Sequence, residues 1–249
     1  MKKTTFGLPE KIIFCKKCVE SNQRFLGSVQ HKITRDEVKD TAMFDKEGVC
    51  LSCRYYEEKE KTDWKLKEKE LIDILDRHRR NDGQYDVLVP GSGGKDSIFT
   101  SFILKEKYNM HPLTCTWAPG MYTDVGWKNY KSWLSSGFDN YLLTPNKKIH
   151  RLLTKLAFKN LLHPFQPFAL GQNSLASRLA IEKKIKLIFY AEHGESHYGG
   201  KVLNKNSEML RNLDEILEHQ IGDDPINWLD DNVNKKDIIP YLLPNKKDL

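Results

Sequence analysis

The sequence predicts an α/β fold with a parallel sheet, preceded by a small cysteine-rich module. From Tyr85 onward, short apolar runs of strand length alternate with longer amphipathic segments of helix length. Such alternation is typical of a parallel sheet that is covered by helices on both faces. A glycine-rich turn joins the first strand to the first helix, and two Cys-x-x-Cys pairs occur before residue 60. We therefore expect ligands at the carboxyl ends of the strands and a metal in the N-terminal module.

Length and composition bound the class of protein. A chain of 249 residues can bury one large domain together with an accessory module. Its formal net charge of +6 suits anionic ligands, but this charge is too small and too dispersed to indicate a nucleic-acid-binding protein. The chain has no run of 18 apolar residues and no secretory signal, so we expect a cytoplasmic protein without membrane association.

Residues 1–60 form the predicted metal-binding module, which resembles a zinc ribbon. Cys15-Lys-Lys-Cys18 and Cys50-Leu-Ser-Cys53 each present two thiolates from one tight turn, and together they complete a four-sulfur site. The odd total of five cysteines argues against a disulfide framework. We expect structural Zn²⁺. An iron–sulfur cluster and four reduced free cysteines remain the alternatives, because four thiolates serve a cluster equally well.

Residues 61–84 connect this module to the α/β domain, which spans residues 85–204. A charged helix over 57–82 carries an apolar stripe and ends at Asn81-Asp-Gly83. The domain is predicted to contain strands at 87–89, 111–117, 141–144 and 186–191. Its helices are predicted at about 96–108, 127–136, 148–162 and 173–184. Residues 205–249 are predicted to be a helical C-terminal segment.

The stretch Tyr85-Asp-Val-Leu-Val-Pro-Gly-Ser-Gly-Gly-Lys-Asp-Ser97 carries the strongest functional signal. Its glycines allow a tight turn, and the helix that follows points its free N–H groups and positive dipole end into that turn. The spacing excludes a Walker A loop, which would need glycine at Val89 and a hydroxyl residue at Asp96. It also excludes the dinucleotide fingerprint, which would need glycine at Asp96. Ser92-Gly-Gly-Lys-Asp-Ser97 instead resembles the PP-loop of the ATP pyrophosphatases.

Further candidates lie in or near the loops after the next predicted strands. Backbone groups from Cys115 to Trp117 are placed to bind an adenine edge, and the Cys115 side chain is either a catalytic thiol or a small core residue. Asp124 is a candidate to orient an amine or a metal, with a solvated carboxylate as the alternative. Gln166 and Gln172 stand in a predicted proline-pinned loop and are candidates to bind a sugar; an ordinary connection between two helices is the alternative.

The loop after the fourth predicted strand is rich in chemically active side chains. It reads Ala191-Glu-His-Gly-Glu-Ser-His-Tyr-Gly-Gly200, with two histidines, two carboxylates and three glycines at the end of a strand. His193 and Glu195 are therefore candidates to transfer a proton or to hold Mg²⁺.

Taken together, the motifs of this chain resemble one family of PP-loop enzymes, the N-acetyl sugar amidotransferases of the pseudaminic acid and lipopolysaccharide type. The resemblance covers about residues 12–205 and lies in five motifs: Cys15-x-x-Cys18, Phe44-Asp-Lys-Glu-Gly-Val-Cys-x-x-Cys53, Ser92–Ser97, His163-Pro-Phe-Gln-Pro-Phe168 with Gly171-Gln172, and the loop at 192–200. The family more often has Gly-Glu-Asn where this chain has Ala191-Glu-His-Gly-Glu195, which leaves the roles of Glu192 and His193 open. Because family members generally continue further, we expect the C-terminal part to be incomplete.

The resemblance implies a PP-loop domain of the adenine nucleotide α-hydrolase-like fold and an ATP-dependent synthesis of an amidine. The acetamido oxygen of an N-acetyl sugar would attack the α-phosphorus of MgATP, and ammonia would then displace AMP to leave an acetamidino group. The residues implied to bind ATP are Gly91, Ser92, Gly93, Gly94, Lys95, Ser97, Cys115 and Trp117. Those implied for catalysis are Lys95, Asp96, His193 and Glu195, and those for the substrate are Asp124, Gln166 and Gln172.

The resemblance also implies partners, and two other functions stay open. The chain shows no glutaminase motif, so ammonia is expected from a separate glutaminase subunit, through a synthase-like barrel subunit. One alternative is a tRNA-modifying, thiolating adenylase of the same superfamily, although the downstream cysteines that such an enzyme needs are absent. The other is a non-catalytic zinc module that binds a nucleotide as a regulator.

Overall fold

The computed structural model describes residues 4–25, 38, 40–192, 216, 225–228, 232–245 and 247. These residues divide into two compact units. The first contains the described residues up to Trp64 together with Ile216, and the second contains Lys65–Glu192 and the described residues from 225 onward. The finer boundaries at 60, 84 and 204 remain predictions.

A parallel sheet forms the centre of the second unit. Its strands are β1 (Val87–Pro90), β2 (Pro112–Trp117) and β3 (Asn140–Leu143), hydrogen-bonded in the order β1-β2-β3. Val87 pairs with Pro112, and Thr114 pairs with Asn140. Every residue of β2 is buried, as expected for a strand that is covered on both faces. The predicted α/β class with a parallel sheet is confirmed.

The fourth predicted strand, 186–191, is wrong as a full strand. Only an isolated parallel bridge forms, between Leu88 and Ile188. Leu88 N donates to Leu187 O at 2.9 Å, and Phe189 N donates to Leu88 O at 2.8 Å, so the segment runs along the side of β1 that β2 leaves free. The order across the sheet is therefore 187–189, β1, β2, β3.

Helices precede and follow the strands along the chain. Those before β3 are α1 (Leu51–Glu60), α2 (Trp64–His78), α3 (Lys95–Phe102) and α4 (Asp124–Ser135). Those after it are α5 (Lys147–Leu161), α6 (Gln166–Glu182) and the short α7 (Lys235–Ile238). The single charged helix predicted for 57–82 is wrong, because the chain breaks at residues 61–63 into α1 and α2.

Local sequence explains where several helices begin and end. Thr123 caps α4 by accepting from Gly126 N at 3.0 Å, and Asn146 caps α5 by accepting from Lys148 N at 3.0 Å. Gly137 follows α4 with a positive φ of 88°, the backbone conformation that commonly ends a helix. α3 continues into a π-helical turn, Ile103–Lys107, in which Tyr108 N donates to Ile103 O at 3.2 Å.

The core of the second unit lies on both faces of the sheet. On one side, α2 and the π-helical turn pack on β1 through Leu75, Val87, Val89, Leu104 and Met110. Elsewhere, Trp133 of α4 is completely buried, and its Nε1 donates to Ser101 Oγ of α3 at 2.9 Å. α6 lies against β1 and β2, and the C-terminal residues Ile238 and Tyr241 are also buried.

The first unit is built from two short hairpin turns that carry the cysteine pairs. Isolated antiparallel bridges join Phe14 to Ser21 and Phe44 to Cys50. Asp45 Oδ1 accepts from Glu47 N and Val49 N, both at 2.9 Å, and Gly48 adopts a positive φ of 81° to close the second turn.

Within the described part of the chain, no helix combines the length and the apolarity needed to span a membrane.

Candidate functional site

The turn after β1 requires glycine at two positions. A Cβ on Gly91 would lie 2.3 Å from Ser97 Cβ and 3.1 Å from the Trp133 ring. Gly93 has a positive φ of 81°, and a Cβ there would lie 2.7 Å from Tyr130 Cα. The turn is thus wedged against α3 and α4, with no room for a side chain at Gly91 or Gly93.

The turn ends directly at the N-terminus of α3. Gly94 occupies the N-cap position and no side chain caps the helix, so the first N–H groups of α3 have no intrahelical partner. The Lys95 side chain is 88% exposed, and its Nζ lies 2.7 Å from Asp96 Oδ1. Free N–H groups, a helix dipole and an exposed cation converge here, which is the chemistry of an anion site.

The two serines of the predicted phosphate-binding set lie in different environments. Ser92 is exposed on the turn. Ser97 is buried, and its Oγ donates to Gly94 O at 3.1 Å. The Ser97 hydroxyl therefore fixes the turn to α3 in this conformation, whereas Ser92 is free to turn towards a ligand.

Cys115 and Trp117, at the carboxyl end of β2, are core residues. Burial raises the pKa of the Cys115 thiol to about 12, so it is a poor nucleophile, and the Cys115 carbonyl already accepts from Gly91 N at 2.9 Å. The Trp117 ring is buried and contacts the Tyr241 ring edge to face, with 5.2 Å between the centroids. The Trp117 side chain is therefore part of the core, and the predicted contact of the Cys115–Trp117 backbone with an adenine edge stays a prediction.

Sequence reasoning missed the residues that surround Trp117. His150 Nδ1 lies 3.0 Å from Tyr241 Oη, although 91 residues separate the two in sequence. Burial lowers the pKa of His150 and raises that of Tyr241. Ser174 Oγ and an Arg178 guanidinium N–H donate to carbonyls of the same C-terminal segment, at 2.7 and 2.9 Å. No periodic signal in the sequence connects so distant a segment to β2.

The predicted loop at 163–173 is wrong as a loop, because α6 already begins at Gln166, and sugar binding by Gln166 and Gln172 stays a prediction. Pro167 fits the first turn of a helix, where its missing N–H has no intrahelical partner to lose. Gln166 is completely buried, whereas Gln172 is exposed. Packing explains why position 171 is a glycine, since a Cβ there would lie 2.2 Å from the Trp117 ring.

The remaining predicted site residues are either exposed or outside the described part of the chain. Asp124 is exposed in the first turn of α4, which Thr123 caps. Glu192 is exposed at the end of the segment that pairs with β1. His193 and Glu195 lie outside the described residues, so their roles remain predictions.

The four predicted metal-ligating cysteines come together in the first unit. All four Sγ atoms of Cys15, Cys18, Cys50 and Cys53 lie within 4.8 Å of one another. Cys15 Sγ is 4.0 Å from Cys53 Sγ, and Cys18 Sγ is 3.5 Å from Cys50 Sγ. Tetrahedral Zn²⁺ with Zn–S bonds of about 2.3 Å separates its sulfurs by about 3.8 Å. The four cysteine sulfurs are therefore close enough to bind a single tetrahedral ion. An iron–sulfur cluster with several irons would hold the four sulfurs further apart.

Backbone N–H groups point at the sulfurs, as negative thiolates require. Lys17 N and Cys50 N lie 3.3 Å from Cys15 Sγ, and Glu20 N lies 3.4 Å from Cys18 Sγ. Burial raises the pKa of the Cys15 thiol, but the N–H donors of Cys50, Lys17 and Cys18 outweigh it and lower that pKa to about 6. The Cys15 thiol therefore favours its ionised form, whereas burial raises the pKa of the Cys50 and Cys53 thiols, which would lose their protons on binding a metal.

Comparisons with known proteins find weak structural similarity only. No family model and no curated protein matches the chain. Among solved structures, an NH3-dependent NAD synthetase from Campylobacter jejuni, in complex with the nitrate ion, is similar at 13% identity with a TM-score of 0.43. The match covers 59% of this chain and 71% of the synthetase. At this level of similarity, the function has to be argued from the site itself.

Proposed function

We propose that this chain is an ATP-dependent, AMP- and pyrophosphate-forming N-acetyl sugar amidotransferase. The observation that carries the proposal is the turn from Gly91 to Ser97. It combines the residue order of a PP-loop with two glycines at positions where an added Cβ would clash, at the carboxyl end of a parallel strand. Ligands of open parallel sheets bind at that edge.

The proposed reaction activates an inert amide in two steps. The acetamido oxygen attacks the α-phosphorus, the bond to the β-phosphate oxygen breaks, and pyrophosphate leaves with the electron pair. Ammonia then adds to the activated carbon, the carbon–oxygen bond to AMP breaks, and the nitrogen loses a proton, which leaves an acetamidino group. Negative charge develops on the leaving pyrophosphate, so donors that are fixed in advance stabilise that transition state.

Both backbone N–H groups and side chains of the described residues are proposed to bind the substrates. The free N–H groups at the start of α3 and the Lys95 ammonium would hold the β- and γ-phosphates. Asp96, beside Lys95, would orient that ammonium or hold Mg²⁺, which would supply positive charge to neutralise the phosphates. Asp124 and Gln172 are the exposed candidates for the sugar.

The cysteine centre is proposed to bind Zn²⁺ in a structural role. Four thiolates leave no coordination position for a substrate, which is the arrangement of a structural rather than a catalytic zinc site. Within the described part of the first unit, few large apolar side chains are buried, so metal binding would supply much of its folding free energy.

The thiolating alternative has little support from the site. The one cysteine outside the centre, Cys115, is buried with a raised pKa, and sulfur transfer would need an accessible thiolate. Binding of tRNA whose affinity falls steeply with salt concentration would favour that alternative.

The decisive experiment incubates the protein with ATP, ammonium and acetamido sugars, and measures AMP, pyrophosphate and the mass of the sugar. We expect sugar-dependent release of AMP with pyrophosphate, and replacement of one oxygen by NH in the product. Lys95→Ala should abolish both, and an Ile72→Ser variant, altered on α2, should keep both. Formation of ADP, or no response to any sugar, would contradict the proposal.

A further inference from the structure

The Trp133 side chain contacts both the start of the turn after β1 and the helix that follows this turn. Trp133 lies on α4 and is completely buried. A Cβ on Gly91, where the turn begins, would lie 3.1 Å from Cη2, the far edge of the indole ring. On its other side, the ring donates from Nε1 to Ser101 Oγ of α3 at 2.9 Å. One buried side chain therefore connects the beginning of the turn with α3.

Ser101 extends this connection to the last residue of the phosphate-binding motif. It is completely buried, and its hydroxyl hydrogen lies within reach of Ser97 O, at 2.9 Å, and of Ile98 O, at 3.0 Å. A chain of hydrogen bonds thus runs from the Trp133 indole through the Ser101 hydroxyl to the Ser97 carbonyl. The chain ends in the first turn of α3, directly behind the free N–H groups of that helix.

The helix itself does not explain why position 101 is a serine. Serine is less favourable than alanine in a helix interior, because its hydroxyl competes for backbone groups. Alanine would also fill a completely buried position without bringing in a polar group. With alanine at position 101, however, the Trp133 N–H would lose the acceptor that the described part of the chain gives it. The Ser101 hydroxyl is therefore explained by its bond to the indole.

A second contact holds α4 against the middle of the turn. A Cβ on Gly93 would lie 2.7 Å from Tyr130 Cα, one helical turn before Trp133. Tyr130 Oη donates to Asn140 Oδ1 of β3 at 2.7 Å, and Asn140 Nδ2 donates to Thr114 Oγ1 of β2 at 2.9 Å. α4 is therefore joined to the sheet through Tyr130 and to α3 through Trp133, and it contacts the turn at both places.

The direction of α3 matters because its first N–H groups are donors in the proposed phosphate site. The N–H groups of residues 95–97 precede the first helical hydrogen bond, which Ile98 N donates to Gly94 O at 3.1 Å. Donors stabilise the charge of a leaving group best when they are fixed in advance at the place where this charge develops. A contact that fixes the start of α3 therefore affects phosphate binding, even though it does not touch the ligand.

We propose that Ser101 and Trp133 are positioning residues for the phosphate site. Their hydrogen bond holds the start of α3 against α4, in the direction in which its free N–H groups meet pyrophosphate. This step rests on the proposed function, in which the turn binds the phosphates of ATP. Neither residue is catalytic, because both are completely buried and act through the backbone of the turn and of α3.

Ser177 provides a matched control for Ser101. Both serines are buried within helices, and each donates to the carbonyl four residues earlier, Ser101 at 2.9 Å and Ser177 at 2.7 Å. Ser177 lies on α6, whereas Ser101 lies on the helix that follows the turn and accepts from the Trp133 indole. Ser101→Ala and Ser177→Ala therefore remove the same group, but the first also breaks the connection to Trp133.

The test measures the affinity of the full-length variants for pyrophosphate. Titration calorimetry with inorganic pyrophosphate and Mg²⁺ is carried out at a temperature at which thermal melting shows that each protein is folded. We expect Ser101→Ala to bind pyrophosphate about tenfold more weakly than the wild type, a loss typical of removing the outer partner of a binding group. Ser177→Ala should bind with wild-type affinity. If the Ser101 hydroxyl only stabilises the core, Ser101→Ala will melt earlier but bind pyrophosphate as the wild type does, which would overturn the proposal.

A double-mutant cycle tests whether the two residues act through one hydrogen bond. Trp133→Phe keeps an aromatic ring but has no N–H, so it should also weaken pyrophosphate binding. The double variant should bind no more weakly than the weaker single variant, because the bond is already broken in each. Losses that add in the double variant would contradict the shared bond, and the comparison of Ser101 with Ser177 decides the question if Trp133→Phe does not fold. A wild type that binds no pyrophosphate contradicts the proposed function as well, whereas equal binding by wild type and Ser101→Ala contradicts the positioning role alone.

Discussion

Replacing Gly93 by alanine tests whether the turn after β1 has the conformation on which the proposed site depends. Gly93 has φ 81°, and an added Cβ would lie 2.7 Å from Tyr130 Cα and 3.0 Å from Tyr130 N. The left-handed conformation costs a residue other than glycine about 1–2 kcal/mol. The clash is with helix backbone, which cannot rotate away, and overpacking of this kind costs about 1–3 kcal/mol. We expect Gly93→Ala to lower the free energy of unfolding by about 2–5 kcal/mol.

Gly94→Ala is the matched control, because it adds the same methyl group one residue later. Gly94 has an ordinary φ of −74°, and its Cβ would meet only Ser92 Oγ, at 3.7 Å. We expect its free energy of unfolding to stay within about 0.5 kcal/mol of the wild type. Urea titrations of the three proteins, followed by tryptophan fluorescence, give the comparison. Equal midpoints for the two variants would refute the wedged turn.

The remaining predictions concern the metal, the phosphate site and pH. Elemental analysis should find one zinc ion per chain. The Cys50→Ser variant should lose this zinc and the Cys115→Ser variant should keep it. Iron together with visible absorption would contradict the assignment of zinc. Lys95→Ala should weaken ATP binding, measured by calorimetry, without changing the melting temperature, because the side chain is exposed; unchanged affinity would exclude Lys95 from the site. Burial lowers the pKa of His150 and of His163, so the unfolded chain binds more protons and stability should fall as pH drops below about 6.5. The His150→Gln variant should show a smaller dependence of stability on pH, and His163 should account for the dependence that remains. An unchanged pH dependence in this variant would contradict the burial of His150.

The sequence predicts the elements that are set by local chemistry. Alternating apolar runs locate β1 and β2, because a strand covered on both faces has to be apolar throughout. The glycine spacing locates the turn at Gly93, since few other residues tolerate a positive φ. The cysteine spacing locates the metal ligands, because one tight turn presents two thiolates.

Features that depend on tertiary contacts could not be predicted from the sequence. The 186–191 segment has the apolar content of a strand, yet it forms only one bridge to β1, between Ile188 and Leu88. The core position of Trp117 depends on Tyr241, which reaches it from the far end of the chain. Local propensity contains no information about such partners, so neither outcome could be predicted.

The packing of Gly171 changes which residues remain as candidates for the sugar. The sequence placed Gly171 in a binding loop together with Gln166 and Gln172, but the glycine is needed so that α6 can approach the Trp117 ring. Gln166 is buried on the same helix, so a sugar could reach it only if α6 moved away from the sheet. Gln172 is exposed, one residue beyond that contact and near the carboxyl end of β2. A sugar could therefore reach Gln172 without any change in the core, which makes its amide, rather than that of Gln166, the group to test for substrate specificity.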